Sequence, residues 1–201
     1  MTDAALAAPR SVVEVVEAAL GAGAPAIQLR NKGESARALH EIGGVIRALT
    51  DRSGALFFVN DRLDVALSLG ADGVHLGPDD VPVPAARAVT PEGFLIGYST
   101  DDPVEATRAI GEGADYIGCG AVYRTSTKGD AGAAIGAEGL ARVARAVEAP
   151  VVGIGGIDEG RVTEVAACGA AGVAVVGAVM RASDVATSVR RLLAPWSSSE
   201  R

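Results

Sequence analysis

Short apolar runs alternate with longer stretches of helical period along almost the whole chain. The runs begin near residues 25, 55, 73, 94, 115, 151 and 172 and read PAIQL, ALFFVN, GVHLG, FLIGYS, YIGCG, VVGIGG and GVAVVG. Each is too short for a helix and is bounded by glycine or polar residues, as buried strands are. Between them, apolar positions recur at helical spacing. They predict helices over about 10–22, 34–52, 61–70, 82–89, 102–112, 136–148, 158–168 and 184–194. One phrase repeats at strand entries: GAPAIQL from Gly23, GADGVHLG from Gly70, GADYIGCG from Gly113 and GAAGVAVVG from Gly169. In each, a glycine suited to end a helix precedes a strand. The remaining strands fall midway, giving a βα unit of roughly 25 residues and a parallel sheet covered on both faces. The predicted fold is α/β, a (β/α)8 TIM barrel whose first strand is truncated or missing, because eight helices accompany only seven strands. The competing open, doubly wound sheet lacks the glycine-rich turn expected after its first strand. Residues 1–194 are expected to form one barrel domain, and 195–201, PWSSSER, a flexible tail.

Polar residues interrupt this pattern where strands end, which is where such barrels place their chemistry. Gln28, Arg30 and Lys32 are alternate residues at the end of the first run and so point to one face. FFVND ends in Asn60 and Asp61, GVHLGPDD in Asp79 and Asp80, and FLIGYST in Ser99 and Thr100. The fifth run leads to Thr125, Ser126, Thr127 and Lys128. Arg30, Lys32 and Lys128 form a cationic set fit for a polyphosphate, arginine by its two-pronged hydrogen bonds and lysine as a compact charge. Asp61 and Asp80 are hard oxygen donors suited to Mg²⁺ shared with substrate oxygens, with Asp79 the competitor of Asp80. Helix N-capping would be the plain structural role of either carboxylate. GIGGI at 153–157 and VVGA at 175–178 close the last two strands, where backbone amides of these barrels commonly hold a phosphate. Two anion sites result, one metal-assisted and one plain, with the Thr125 and Thr127 hydroxyls between them in chain order. His75 lies inside GVHLG and not past its end, which assigns it a hydrogen-bonded place in the core; His40 is expected to be solvated.

Composition narrows the partners. A formal net charge of −7 argues against a nucleic-acid surface, so any anion site must be a local cluster of cations. No apolar run is long enough to span a membrane, and the N-terminus does not read as a secretory signal. Cys119 and Cys168 read as buried small hydrophobes of a reducing, cytoplasmic compartment. No Ser/His/Asp order, CxxC or HExxH supports a hydrolytic triad or zinc chemistry. The partners expected are small molecules; nothing in the sequence excludes an oligomer.

The segments QLRNK, VNDRLDVALSLGADGVHLG, DYIGCGAVYRTSTKG, VVGIGGI and GVAVVGAV resemble the thiamine-phosphate synthase family, in one order and over nearly the whole chain. The resemblance implies a Mg²⁺-dependent (β/α)8 transferase. It would join a hydroxymethylpyrimidine diphosphate to a thiazole phosphate, making thiamine phosphate and releasing pyrophosphate. By the same resemblance Gln28, Leu29, Arg30, Asn31, Lys32, Asn60, Ser99 and Lys128 would bind the pyrimidine diphosphate. Arg30, Lys32, Lys128 and Ser99 would be the catalytic ones among them. Asp61 and Asp80 would hold the metal, and Thr125, Ser126, Thr127, Gly156, Val176 and Gly177 the thiazole phosphate. The chain departs from the family pattern at Pro78 (often Gln), Thr100 (often His) and Gly177 (usually Ser). It also opens MTD where the family has a strand like LYLVTD, so the true start is expected upstream or strand one lost. Thiazole tautomerases share the barrel, and the resemblance places their proton transfer on a histidine at the Thr100 position. Thr100 and the intact QLRNK therefore side with the synthase. A different phosphate-ester barrel enzyme and a phosphate-binding protein inactivated by truncation are two further readings of the same residues.

Overall fold

Alternation within each strand decides which residues meet the helices. Ile27 and Leu29, Phe57 and Val59, Val74 and Leu76, Ile96, Ile117 and Cys119 are all buried, while the residues between them turn the other way. The computed structural model describes residues 1–31, 33–125 and 133–197. It contains seven strands: β1 (Ala26–Leu29), β2 (Leu56–Asn60), β3 (Gly73–Leu76), β4 (Leu95–Ser99), β5 (Tyr116–Cys119), β6 (Val151–Ile154) and β7 (Gly172–Ala174). Every expected strand is present, each within a residue of its expected start. All neighbours are parallel, and the order is β1-β2-β3-β4-β5-β6-β7 with no reversal. A doubly wound sheet needs a reversal where its strand order switches. Right-handed crossovers in one unbroken order put every helix on one side and curl the sheet toward a barrel.

The helices are α1 (Ala4–Ala7), α2 (Val12–Gly21), α3 (Ala36–Ser53), α4 (Leu63–Ser68) and α5 (Val83–Arg87). They continue with α6 (Pro103–Gly111), α7 (Gly136–Ala146), α8 (Val162–Ala167), α9 (Gly177–Met180) and α10 (Val185–Ser197). Ser11 and Glu14 close α2 with a reciprocal capping box, and Ser35 caps α3, which ends at Gly54 in a left-handed conformation. α10 outlasts its expected end at 194, and Trp196 Nε1 donates to Ala170 O at 3.0 Å. The core between sheet and helices holds Phe57, Leu29, Ile46, Leu76, Ile96, Ile117 and Leu140. Cys119 is fully buried there, and burial pushes its thiol up to about 12; Cys168 is only half-buried. His40 is exposed on α3, as expected.

No eighth strand lies between β7 and β1 among the described residues. Met1 and Thr2 bridge those edges instead: the Met1 amine donates to Val175 O at 2.9 Å, and Thr2 N donates to Gln28 O at 2.9 Å. Thr2 Oγ1 also accepts from Arg30 N at 2.9 Å and donates to Arg30 O at 3.1 Å. The bridge lies at the C-terminal ends of the strands.

At the opposite end, the repeated GAD phrase has a mechanical use. Asp72 Oδ2 accepts from the Phe57 amide at 2.6 Å and pairs with Arg47 at 2.8 Å; Asp115 Oδ2 does the same for the Ile96 amide at 2.6 Å and for Arg87 at 2.5 Å. Each aspartate thus ties the start of one strand to the strand before it and to a helix. Asp72→Ala leaves a buried strand amide without its acceptor. With Asp72 one-third exposed, we expect a loss of about 1–2 kcal/mol, which calorimetry reads as a melting point lowered by about 3–6 °C.

Candidate active site

Seven strand ends converge on one rim. Gln28 on β1 and Arg30 just past its end turn inward from an otherwise apolar strand. Gln28 Oε1 is buried without a hydrogen-bond partner among the described residues. The Arg30 side chain is only 10% exposed, and the carboxylate of Asp3 lies 4.0 Å away, too far for a hydrogen-bonded pair. Asn31 follows, half-buried. Leu29 comes to the same strand with its side chain in the helix layer, against Gly43 of α3, leaving only its backbone for a ligand. Lys32 lies outside the described residues, as do Ser126, Thr127 and Lys128.

Asn60 ends β2 beside His75 of β3, and Asp61 follows in a left-handed conformation (φ 64°), its amide donating to His75 O at 2.8 Å. Aspartate tolerates that conformation better than most residues. Asp61 does not cap α4, whose N-cap is Arg62 without a side-chain bond. Asp80 Oδ2 accepts from Gly77 N at 2.7 Å and closes its own loop; α5 is preceded by Pro82. N-capping therefore accounts for neither carboxylate. Asp79 and Pro78 are exposed, whereas Asp80 is half-buried.

Ser99 ends β4, and its Oγ lies 2.8 Å from His75 Nε2. Chain position alone assigns His75 to the core. Its contact with a rim residue is invisible at that level, because the partners are far apart in the chain and join only through the strand register. Thr100 accepts from Asp102 N at 3.1 Å, ordering the turn into α6.

The other side of the rim is backbone. Val122 N donates to Ile154 O and Tyr123 N to Gly155 O, both at 2.9 Å, so the segment after β5, ending at Thr125, lies along the Gly155–Gly156 turn. Gly156 has φ 64°, and a Cβ there would sit 2.6 Å from Arg124 O, so glycine alone fits. Arg161 donates to Gly156 O at 2.6 Å while lying 4.7 Å over the Tyr123 ring. On the neighbouring strand, Val176 and Gly177 lead into α9, where the Val179 and Met180 amides both donate to Val176 O, at 3.1 and 2.8 Å. The structure thus gathers Gln28, Arg30, Asn31, Asn60, Asp61, Asp80, Ser99, Thr125, Gly156, Val176 and Gly177 at the C-terminal ends of the strands. The cationic and carboxylate groups lie on β1 to β4, and the backbone-lined part on β5 to β7.

Comparison with known proteins gives the same direction. The family model described as thiamine monophosphate synthase matches residues 1–179. A thiamine-phosphate synthase of Moorella thermoacetica is 49% identical over 183 residues, covering 91% of this chain and 87% of the relative. The solved thiamine phosphate pyrophosphorylase of Pyrococcus furiosus superposes with a TM-score of 0.85 at 43% identity, covering 95% of this chain and 91% of that one. A 3-hexulose-6-phosphate synthase shares the fold alone, with a TM-score of 0.70 at 18% identity over 97% of this chain and 95% of its own. The rim that gathers Arg30, Asp61, Asp80 and Ser99 is thus that of a chain belonging to the thiamine monophosphate synthase family.

Proposed function

We propose that this thiamine-phosphate synthase works as a two-ended clamp, with the pyrimidine diphosphate at β1 to β4 and the thiazole phosphate at β5 to β7. The observation that carries this reading is the pairing at the end of β1 of Gln28 Oε1, a buried acceptor with no partner among the described residues, with Arg30, whose nearest carboxylate among them is 4.0 Å away. An aminopyrimidine offers an N–H donor to the first, and its diphosphate offers oxygens to the second. Arg30, with Lys32 and Lys128, then stabilises the charge that develops on the departing diphosphate. Asn60, Ser99 and Asn31 hold the remaining polar edges. The electron-rich pyrimidine supports a carbocation at the carbon the diphosphate leaves, and the thiazole nitrogen captures it. No protein nucleophile is needed. Thr125, Ser126, Thr127, Gly156, Val176 and Gly177 align the thiazole through its phosphate.

The carboxylates fit Mg²⁺. Asp61 and Asp80 offer hard oxygens from neighbouring strand ends, and the described residues contain no cluster of three or more metal-type side chains. An ion there would take its other ligands from water and substrate, which is the habit of Mg²⁺. When bound, it would neutralise charge on the leaving diphosphate. In this reading the sheet is a (β/α)8 barrel across residues 1–194, with Met1 and Thr2 standing where a first strand would end. No described helix is long and apolar enough to cross a membrane, and two unpaired thiols fit a cytoplasmic enzyme.

The test is direct. Protein, Mg²⁺ and both substrates should yield thiamine phosphate and pyrophosphate in equal amounts by chromatography, EDTA should stop the reaction, and Asp80→Asn should raise the Mg²⁺ needed for half-maximal rate. No thiamine phosphate at any enzyme concentration rejects the reading.

A further inference from the structure

We propose that His75 is a positioning residue for Ser99, and that Tyr116 fixes the tautomer in which it acts. The proposal rests on the reading that Ser99 touches the pyrimidine diphosphate. Three side chains from adjacent strands form a line through the sheet interior. Tyr116 Oη of β5 lies 3.0 Å from His75 Nδ1 on β3, and His75 Nε2 lies 2.8 Å from Ser99 Oγ on β4. The two rings are 5.4 Å apart between centroids, and Phe58 braces Tyr116 edge-on at 5.6 Å.

Space for this line is provided by glycine on both intervening strand positions. A Cβ at Gly97 would lie 2.1 Å from Tyr116 Cζ and 2.5 Å from His75 Nδ1; one at Gly118 would lie 2.7 Å from His75 Cε1 and 3.0 Å from Nε2. Two strands thus forgo a side chain so that the imidazole can lie between the two hydroxyls. A histidine serving only the core would need partners, but not a chain that ends on a rim residue.

The direction of the protons follows from the partners. Nδ1 is the only hydrogen-bond partner of Tyr116 Oη among the described residues, so the largely covered phenol satisfies its proton by donating to Nδ1. Burial also holds that phenol well above its ordinary pKa, which keeps the proton on it. The imidazole proton then sits on Nε2 and is donated to Ser99 Oγ. With one lone pair so engaged, the Ser99 hydroxyl is turned to donate its own proton outward, toward a ligand acceptor. A serine hydroxyl otherwise samples three rotamers. The role of His75 is to hold one of them.

Four single variants and one double variant test this by kcat, KM and melting temperature. Asparagine at 75 keeps a group near the Nδ1 position but cannot reach Ser99; glutamine reaches to the Nε2 position. We expect Ser99→Ala and His75→Asn each to lower kcat about tenfold or more with KM for the pyrimidine diphosphate changed less. His75→Gln should recover most of that loss. The two His75 variants should melt within about 2 °C of each other, and His75→Asn combined with Ser99→Ala should be no slower than Ser99→Ala alone. Tyr116→Phe, which keeps the ring, should lower kcat severalfold, and an unchanged kcat overturns the tautomer assignment. His75→Asn and His75→Gln with equal kcat, or a multiplicative double variant, overturns the positioning role. Ser99→Ala with parental kcat overturns the Ser99 reading on which it rests.

Discussion

Arg30→Ala should lower kcat about 10²–10³-fold, the scale of losing one preorganised donor to a developing anion, while the protein melts within about 2 °C of its parent. The two halves of this expectation have separate causes. Arg30 is held by backbone, since its N–H and carbonyl both bond to Thr2 Oγ1, and those bonds survive truncation of the side chain. Among the described residues the guanidinium faces only the distant Asp3 carboxylate, at 4.0 Å, so its loss strands no strongly bonded partner there. What disappears is a cation almost wholly covered at the end of β1, where low dielectric strengthens its pull on phosphate oxygens. Arg30→Lys should recover part of the rate, since it returns the charge without the planar fork. Turnover of thiamine phosphate and a calorimetric scan read both halves. A parental kcat for Arg30→Ala would remove Arg30 from the clamp.

Gly97→Ala should cost both stability and rate through a single methyl group. Its Cβ would fall 2.1 Å from Tyr116 Cζ, and the ring cannot retreat freely because Phe58 stands edge-on behind it. Overpacking of this kind costs about 1–3 kcal/mol, a melting point lower by about 3–9 °C. The same methyl would press on His75 Nδ1, so the rate should fall with the stability. Gly44→Ala is the matching control. Gly44 lies in α3, a Cβ there meets nothing within 4 Å, and alanine favours a helix by about 0.5–1 kcal/mol, so this variant should melt slightly higher than the parent. Equal melting points for the two alanine variants would contradict so tightly filled an interior.

The contrast between these glycines shows what the sequence makes legible. Strand starts are readable because strand burial and helix punctuation are local signals, and the polar strand ends follow once parallel order is inferred. Asn60, Asp61, Asp80 and Ser99 reach one rim for that reason. α1 and α9 are not readable, since four residues are too few to show a period. Leu29 stands in the QLRNK motif, but strand alternation turns its side chain to the helices. The line Tyr116–His75–Ser99 is hidden most deeply. It joins residues 41 and 24 positions apart, and nothing near Gly97 or Gly118 in sequence reveals which ring each must admit. The placing of Lys32, Ser126, Thr127 and Lys128 lies outside the described residues.

Trp196 is the single tryptophan of the chain, and its indole N–H is bonded to the carbonyl of Ala170, just before β7. Near-ultraviolet emission is therefore a report from one seam of the molecule, the docking of α10 beside the last strand. Tyrosine absorbance, shared by Tyr98, Tyr116 and Tyr123, averages over several places. The chain thus carries one built-in emission probe, at the edge where the sheet opens.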